Sequence, residues 1–175
     1  WVSERNLVAA ISNAGGFGVI ACGAMTPELL DAEITATKAL TSKPFGVNLI
    51  TMHPMLFDLI AVCAKHHVSH VVLAGGIPPK GSVEAIKESG LPSFNLDLIY
   101  GLPGQTVADW ERSLDAVLAL DPPHISLYCL TIEPGTPMER WLRNGKIEQP
   151  DADIAAEQYE IACQRLAPLG YEHYE

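Results

Sequence analysis

The chain has 175 residues, a formal net charge of −10 and 48% hydrophobic residues, which is enough for one ordinary domain with a buried core. It has no lysine- and arginine-rich cluster and no apolar run near the roughly 20 residues of a membrane span. These features argue against binding to nucleic acid or to a membrane. The four cysteines form no CxxC pair, which favours reduced thiols in a cytoplasmic protein without a metal site.

Predicted strands and helices alternate along the chain. Ser3, Thr26, Thr106 and Asp151 each stand where a helix is expected to begin, as N-cap residues do. Repeated βα units build parallel sheets, and a closed eight-stranded barrel usually needs about 250 residues. We therefore predict an α/β fold, a partial TIM-barrel-like parallel sheet of about six βα units, with a doubly wound sheet as the alternative. In chain order, the predicted strands cover residues 17–21, 45–50, 70–74, 94–100, 124–130 and 171–175.

One carboxylate interrupts the apolar strand that begins at Phe94. Leu96 and Leu98 point to one face, whereas Asn95 and Asp97 point to the other. A buried charge without a partner is costly, so Asp97 predicts a ligand or a polar neighbour. A hydrogen bond to a neighbouring loop is an equally good interpretation.

A histidine cluster, His66, His67 and His70, is the one group that suggests a metal. Adjacent histidines point apart, and no cysteine or carboxylate completes a set at ligand spacing. Histidines on the surface at a helix end, where the helix dipole favours a positive charge, are the better interpretation. We assign no metal ligand.

The first part of the chain resembles the nitronate monooxygenase family, which includes FMN-dependent enoyl-ACP reductases. The resemblance covers residues 1–90 and is carried by WVS at 1–3, ISNAGGFG at 11–18, KPFGVN at 43–48 and AGGIPP at 74–79. It implies a barrel in which Asn48, Gly75 and Gly76 lie beside FMN. Gly46, on the same strand face as Asn48, would leave room for a flat ring. Glycines after a strand also simply turn the chain.

The second part, residues 91–175, resembles the radical-SAM haem chaperones, also described as oxygen-independent coproporphyrinogen III oxidase-like proteins. The matching motifs are NLDLIYGLPGQT at 95–106, SLY at 126–128, TIEPGTP at 131–137 and GYEHYE at 170–175. The resemblance implies S-adenosylmethionine near Asp97 and Thr131, a [4Fe–4S] cluster, and haem as a partner. A local hydrogen bond in a loop is an alternative role for Thr131.

Key motifs of both families are missing. The CxxxCxxC cluster motif of radical-SAM enzymes does not occur in the sequence, nor do the segments that bind the FMN phosphate. The chain begins without Met and without a signal peptide, and we interpret it as a fragment or chimera joined near residues 89–92. A natural fusion, an engineered recombination and an assembly artefact all produce such a join.

These observations predict a catalytically incomplete protein. We predict a remnant of a radical-SAM haem chaperone joined to a nitronate monooxygenase-like segment, with weak or absent FMN binding and no assigned catalytic residue. The alternatives are an FMN-dependent oxidoreductase and a non-catalytic partial barrel. Six strands leave two sheet edges open, which predicts self-association.

Overall fold

The computed structural model describes residues 3–174; Trp1, Val2 and Glu175, which belong to the end motifs, lie outside the described residues. Strands and helices alternate as the sequence predicts. Their bounds are α1 (Arg5–Asn13), β1 (Gly18–Ala21), α2 (Pro27–Leu40), β2 (Phe45–Ile50), α3 (Leu56–Lys65), β3 (His70–Ala74), α4 (Ser82–Glu88), β4 (Phe94–Tyr100), α5 (Val107–Leu118), β5 (His124–Cys129), α6 (Pro137–Arg143), α7 (Ala152–Leu166) and a 3-10 turn (Ala167–Leu169).

Side-chain caps explain where most helices begin. Thr26 accepts a hydrogen bond from the amide of Leu29, and Thr106 forms a reciprocal capping box with Asp109. The predicted cap at Ser3 is wrong. Glu4 caps α1 instead, since its longer carboxylate reaches two free amides of the first turn, and the Ser3 hydroxyl donates to the carbonyl of Val19.

The sheet has the strand order β1-β2-β3-β4-β5. The pairs β1–β2, β2–β3 and β3–β4 are parallel. A doubly wound sheet reverses its strand order about a central first strand, whereas a barrel adds strands in sequence. The predicted partial TIM-barrel-like α/β fold is therefore confirmed, and the doubly wound alternative is excluded.

The sixth predicted strand is wrong within the described residues. Residues 171–174 are irregular, so these residues hold five strands. The amide of Tyr171 donates to the carbonyl of Leu166 at 3.4 Å, and Gly170 has a left-handed φ of 87°. This turn at the end of α7 uses the amide that a strand ladder would need.

The chain divides into two compact units. The first contains the residues up to Asp97 together with Pro122–Ile125, and the second contains Leu98–Asp121 and the residues from Ser126 onward. In the first unit, α1 contacts β1 and β2, and α3 contacts β2. In the second, α5 contacts α7 around the buried Trp110. Within residues 3–174, no helix combines the length and the apolar character needed to cross a membrane.

Candidate cofactor-binding site

One face of the first unit's sheet carries polar side chains. Asn48 is half-buried between Val47 and Leu49, which face the helices and are fully buried. Asn48 pairs in register with Val72, and Val72 pairs with Asn95. The two asparagines therefore share one sheet face, two strand spacings or roughly 10 Å apart.

Asp97 has a side-chain partner on this face. Nδ2 of Asn95 donates to Oδ1 of Asp97 at 2.6 Å, and Oδ1 of Asn95 lies 2.5 Å from Nδ1 of His124. The carboxylate of Asp97, the carboxamide of Asn95 and the imidazole of His124 are all half-buried and lie in a hydrogen-bonded row. We name these three side chains the polar array. A strand neighbour thus meets the polar requirement predicted for Asp97. Sequence analysis missed the role of His124, because a contact across 29 residues leaves no local pattern.

Gly75 and Gly76 form the predicted turn at the carboxyl end of β3. Their φ angles are 97° and 125°, which favour glycine, and no atom lies within 4 Å of a Cβ built on Gly76. A Cβ on Gly75 would lie 3.7 Å from Oγ1 of Thr51. That hydroxyl is buried without a hydrogen-bond partner among the described residues, although the amide of Thr51 donates to Ala74 at 2.8 Å. No pattern in the sequence pointed to Thr51, whose buried hydroxyl lies beside the Gly75-Gly76 turn that is predicted to contact the flavin.

The space predicted beside Gly46 is filled by the protein itself. A Cβ on Gly46 would lie 3.1 Å from Cε1 of Phe17, and the Phe17 ring packs edge-on against His70. The small residue therefore admits a phenyl ring at the amino-terminal end of the sheet. The prediction that Gly46 leaves room for a flat ring ligand is wrong for this reason.

The second unit has a cavity of about 390 Å³ that Thr131 lines. Thr131 is exposed and follows β5, and Gly101 follows β4 on the same cavity wall. Gly101 has a φ of 70°, and a Cβ there would lie 3.4 Å from Sγ of Cys129. Of the predicted S-adenosylmethionine contacts, Asp97 belongs to the first unit and Thr131 to the second.

Glu139 gives the cavity of the second unit a fixed negative charge. It accepts a hydrogen bond from the amide of Gly135 at 2.7 Å and another from Arg143 at 2.5 Å. The Gly135 amide, helped by the Arg143 guanidinium, lowers the pKa of the Glu139 carboxyl below its usual value. The carboxylate therefore remains ionised at neutral pH.

The cysteines do not fit a [4Fe–4S] cluster. Burial raises the pKa of Cys22 to about 11 and that of Cys63 to about 12, whereas cluster ligands are thiolates. Cys129 and Cys163 belong to the other unit. Among residues 3–174, no group of three or more His, Cys, Asp or Glu side chains is arranged to bind a metal ion.

The fold and this site define a TIM-barrel-like α/β protein with a polar sheet face and a glycine turn at a strand end. Residues 1–92 match the model of the nitronate monooxygenase family, and through them the chain belongs to that family. Among solved structures, FabK (M276A) from Thermotoga maritima is 25% identical with a TM-score of 0.53, covering 73% of this chain and 58% of that one. The predicted resemblance of the first segment is confirmed.

The second resemblance is confirmed by sequence relatives. The chain is 35% identical over 135 residues to the haem chaperone HemW of Synechocystis, covering 76% of this chain and 31% of that protein. HemW of Haemophilus influenzae is 45% identical over 96 residues, covering 55% of this chain and 24% of that protein. The chain thus spans about a third or less of the length of these relatives.

The two similarities overlap along the chain. Only 83 residues follow residue 92, so the 135-residue HemW match extends into the segment that matches the nitronate monooxygenase model. HemN of Escherichia coli has a TM-score of 0.72 at 16% identity and covers 90% of this chain and 42% of that one. That likeness concerns the fold alone.

Proposed function

We propose that the chain is a catalytically incomplete, radical-SAM haem-chaperone-type protein joined to a nitronate monooxygenase-type segment, and that it binds a small molecule. The observation that carries this proposal is the polar array on the half-buried polar face of the sheet. S-adenosylmethionine has ammonium, sulfonium and hydroxyl groups, all of which pair with a carboxylate and its amide neighbour. Haem is the second ligand that the HemW relatives suggest.

The geometry of the polar array supports this proposal. Asn95 positions one oxygen of Asp97, and His124 positions Asn95, so the carboxylate is held before any ligand arrives. All three side chains are half-buried and therefore accessible. In the second unit, the cavity at Gly101 and Thr131 is a separate candidate surface for a small molecule. The boundary between the two segments, placed at residues 90 and 91, is part of the same proposal.

Isothermal titration with S-adenosylmethionine tests this assignment. We expect saturable binding by the intact chain and at least tenfold weaker binding by Asp97→Ala, because the cation then loses its carboxylate. Asp58→Ala is the matched control, since Asp58 is an exposed carboxylate on α3 of the same unit. Haem is titrated in parallel and followed by its Soret band.

Two results would contradict the proposal. One is the absence of saturable binding for both S-adenosylmethionine and haem. The other is equal affinity for S-adenosylmethionine in the intact chain and in Asp97→Ala, which would remove the polar array from the site. Circular dichroism of each variant separates a loss of ligand contact from a loss of fold.

Weak FMN binding is a second candidate, favoured by the unpaired Thr51 hydroxyl beside Gly75. Asn48, Gly75 and Gly76 would contact the flavin, which supplies redox chemistry when bound. Asn48 offers an amide, and the open space at Gly76 lets a ligand approach the backbone. The sequence contains no matching segment for the phosphate, which usually binds backbone amides at a helix N-terminus.

Flavin fluorescence during equilibrium dialysis measures this affinity. We expect binding weaker than micromolar and undetectable nitronate oxidation. Asn48→Ala and Thr51→Val should weaken whatever binding is measured, whereas Asn144→Ala in the second unit should not. Micromolar or tighter binding would show that the retained contacts are sufficient without the phosphate segment.

A further inference from the structure

A second cavity lies at the amino-terminal ends of β2 and β3, within the first unit. It has a volume of about 510 Å³, within the range of small-molecule sites. Its wall comes from the end of α2, the loop that leads into β2, the first residue of β2 and the turn between α3 and β3. The Gly75 turn marks the carboxyl-terminal ends of the strands, so this cavity is separate from the candidate flavin contacts. The polar lining residues are Lys38, Thr41, Ser42, Lys43, His67 and Ser69.

The charge of this lining is opposite to the charge of the chain. Two lysines and a histidine line the cavity, and the described lining includes no carboxylate. The whole chain carries a formal net charge of −10. A cationic recess on an acidic protein concentrates anions locally, since nearby charges set the potential within about one Debye length.

An acidic side chain, Asp31, contacts the end of α3 that leads into the cavity wall, and it is already paired there. Oδ1 of Asp31 accepts from Nζ of Lys65 at 2.6 Å and lies 2.8 Å from Nε2 of His66. These contacts, led by the Lys65 hydrogen bond, lower the pKa of the Asp31 carboxyl. Asp31 is therefore engaged by two side chains outside the lining, and the cavity lining itself keeps the two lysines Lys38 and Lys43 without a lining carboxylate.

Hydrogen bonds fix the two loops that form the wall. Oγ1 of Thr41 donates to Oδ1 of Asn13 at 2.6 Å and accepts from the amide of Lys43 at 3.0 Å. The Ser69 hydroxyl donates to the carbonyl of Phe45 at 2.7 Å. The Lys38 ammonium donates to the carbonyl of His66 and so links the last turn of α2 to the end of α3. The recess is thus held open by its own contacts rather than shaped by a ligand.

Lys43 is the lining cation with the greatest freedom to bind a ligand. Its side chain is exposed, and its ammonium forms no ion pair or hydrogen bond with a residue among 3–174. An ammonium has three donor hydrogens, and a phosphate oxygen is a strong acceptor for them. His67 approaches from the opposite loop, where its φ of 49° is unusual for a residue other than glycine.

We propose that this cavity binds a phosphate-type dianion, either free or as the terminal group of a phosphorylated small molecule. Lys38 and Lys43 supply the positive charge, and the His67 ring and the hydroxyl of Ser42 supply further hydrogen-bonding groups. Buried Phe45 and Val68 provide an apolar wall that suits the organic part of such a ligand. This site is independent of the function proposed for the polar array.

Phosphorus NMR and isothermal titration with two probes, inorganic phosphate and ribose 5-phosphate, test the site. We expect saturable binding of at least one probe at millimolar concentration or below. Lys43→Gln should weaken binding at least tenfold, about 1.4 kcal/mol, because a charged hydrogen bond is removed from the recess. Lys80→Gln, an exposed lysine of the same unit outside the cavity, is the matched control.

The pattern of affinities distinguishes the sources of the anion. Equal affinity for both probes supports a free phosphate site, and tighter binding of ribose 5-phosphate supports a phosphorylated small molecule. Ser42→Asp places a carboxylate in the recess and should abolish binding of both probes. The proposal is overturned if neither probe saturates, or if Lys43→Gln and Lys80→Gln weaken binding equally. Circular dichroism checks that each variant remains folded.

Discussion

The side-chain oxygen Oε1 of Gln158 accepts a hydrogen bond of 2.9 Å from the amide of Gly101. The same side chain donates through Nε2 to the backbone carbonyls of Gln105 and Thr106. The backbone carbonyl of Gln158 accepts a hydrogen bond of 2.7 Å from the indole N–H of Trp110. Gln158 is fully buried in α7. The side-chain amide of Gln158 thus provides hydrogen-bond partners for the backbone groups of the turn that follows β4, next to the cavity wall at Gly101.

We expect Gln158→Ala to destabilise the chain by about 2–4 kcal/mol. The substitution leaves the Gly101 amide without its partner and opens a cavity beside Trp110. Urea unfolding followed by tryptophan fluorescence measures the change. Gln164→Ala, on the exposed side of the same helix, is the control and should change the free energy of unfolding by less than about 0.5 kcal/mol. Equal losses in both variants would contradict the role given to the buried amide.

Gly18 is predicted to tolerate no side chain. A Cβ there would lie 2.4 Å from the backbone oxygen of Val8, closer than any real contact, so β1 or α1 must move. We expect Gly18→Ala to cost about 1–3 kcal/mol of stability through overpacking. Thermal unfolding checks this value. The comparison is Ala21→Ser, a change at the exposed end of the same strand, which should leave the melting temperature nearly unchanged.

The four thiols should react in two groups. Cys129 is exposed and Cys163 is half-buried, whereas Cys22 and Cys63 are buried. Because burial raises the pKa of Cys63 to about 12 and of Cys22 to about 11, their thiolates are scarce at neutral pH. A thiol-disulfide reagent should modify Cys129 first and Cys163 next, and reach the buried pair only in denaturant. Rapid reaction of Cys63 in the folded chain would contradict the buried assignment.

The same pKa shifts predict how stability depends on pH. An unfolded thiol ionises near about 8.5, whereas the folded thiols stay protonated, so the unfolded state loses protons first. The two buried thiols therefore make their full contribution to the free energy of unfolding below about pH 8.5. This contribution falls as the pH rises towards the folded-state pKa values of about 11 and 12. Urea unfolding across this alkaline range measures the slope, which should be shallower in Cys63→Ala.

We predict that the chain does not assemble a functional iron–sulfur cluster. The sequence has no CxxxCxxC motif, and the four cysteines belong to two separate units. Anaerobic reconstitution with iron and sulfide, followed by absorbance in the thiolate-to-iron charge-transfer region, tests this. A stoichiometric cluster that reductively cleaves S-adenosylmethionine would overturn the prediction.

Self-association through the edge of β1 stays a prediction, and the contacts of Ser3 provide a variant that tests it. Ser3 satisfies two groups of this edge strand: its hydroxyl donates to Val19, and its carbonyl accepts from the amide of Ala21 at 3.1 Å. We expect Ser3→Ala to increase the oligomeric fraction, because the Val19 carbonyl becomes available to another chain. Size-exclusion chromatography with light scattering measures this fraction. Ser113→Ala on α5 serves as the control, and equal behaviour of both variants would contradict the role of Ser3.

The sequence by itself determined the order of helices and strands. Thr26, Thr106 and Asp151 begin helices where predicted, because a capping oxygen acts on amides two or three residues away and is visible locally. The alternation in β4 likewise placed Asp97 on the face opposite Leu96 and Leu98. The motif strings indicated both family resemblances. These features depend on neighbours in the chain, so the sequence carries them directly.

Only the tertiary structure decided what those residues contact. The partner of Asp97 is Asn95, which His124 contacts in turn; Phe17 fills the space at Gly46; and the cationic recess joins Lys43 to His67 from two loops. Residues 171–174 form no strand, since the turn after α7 engages the Tyr171 amide. Each of these outcomes depends on strand register or on packing between distant segments, and neither leaves a periodic signal in the sequence.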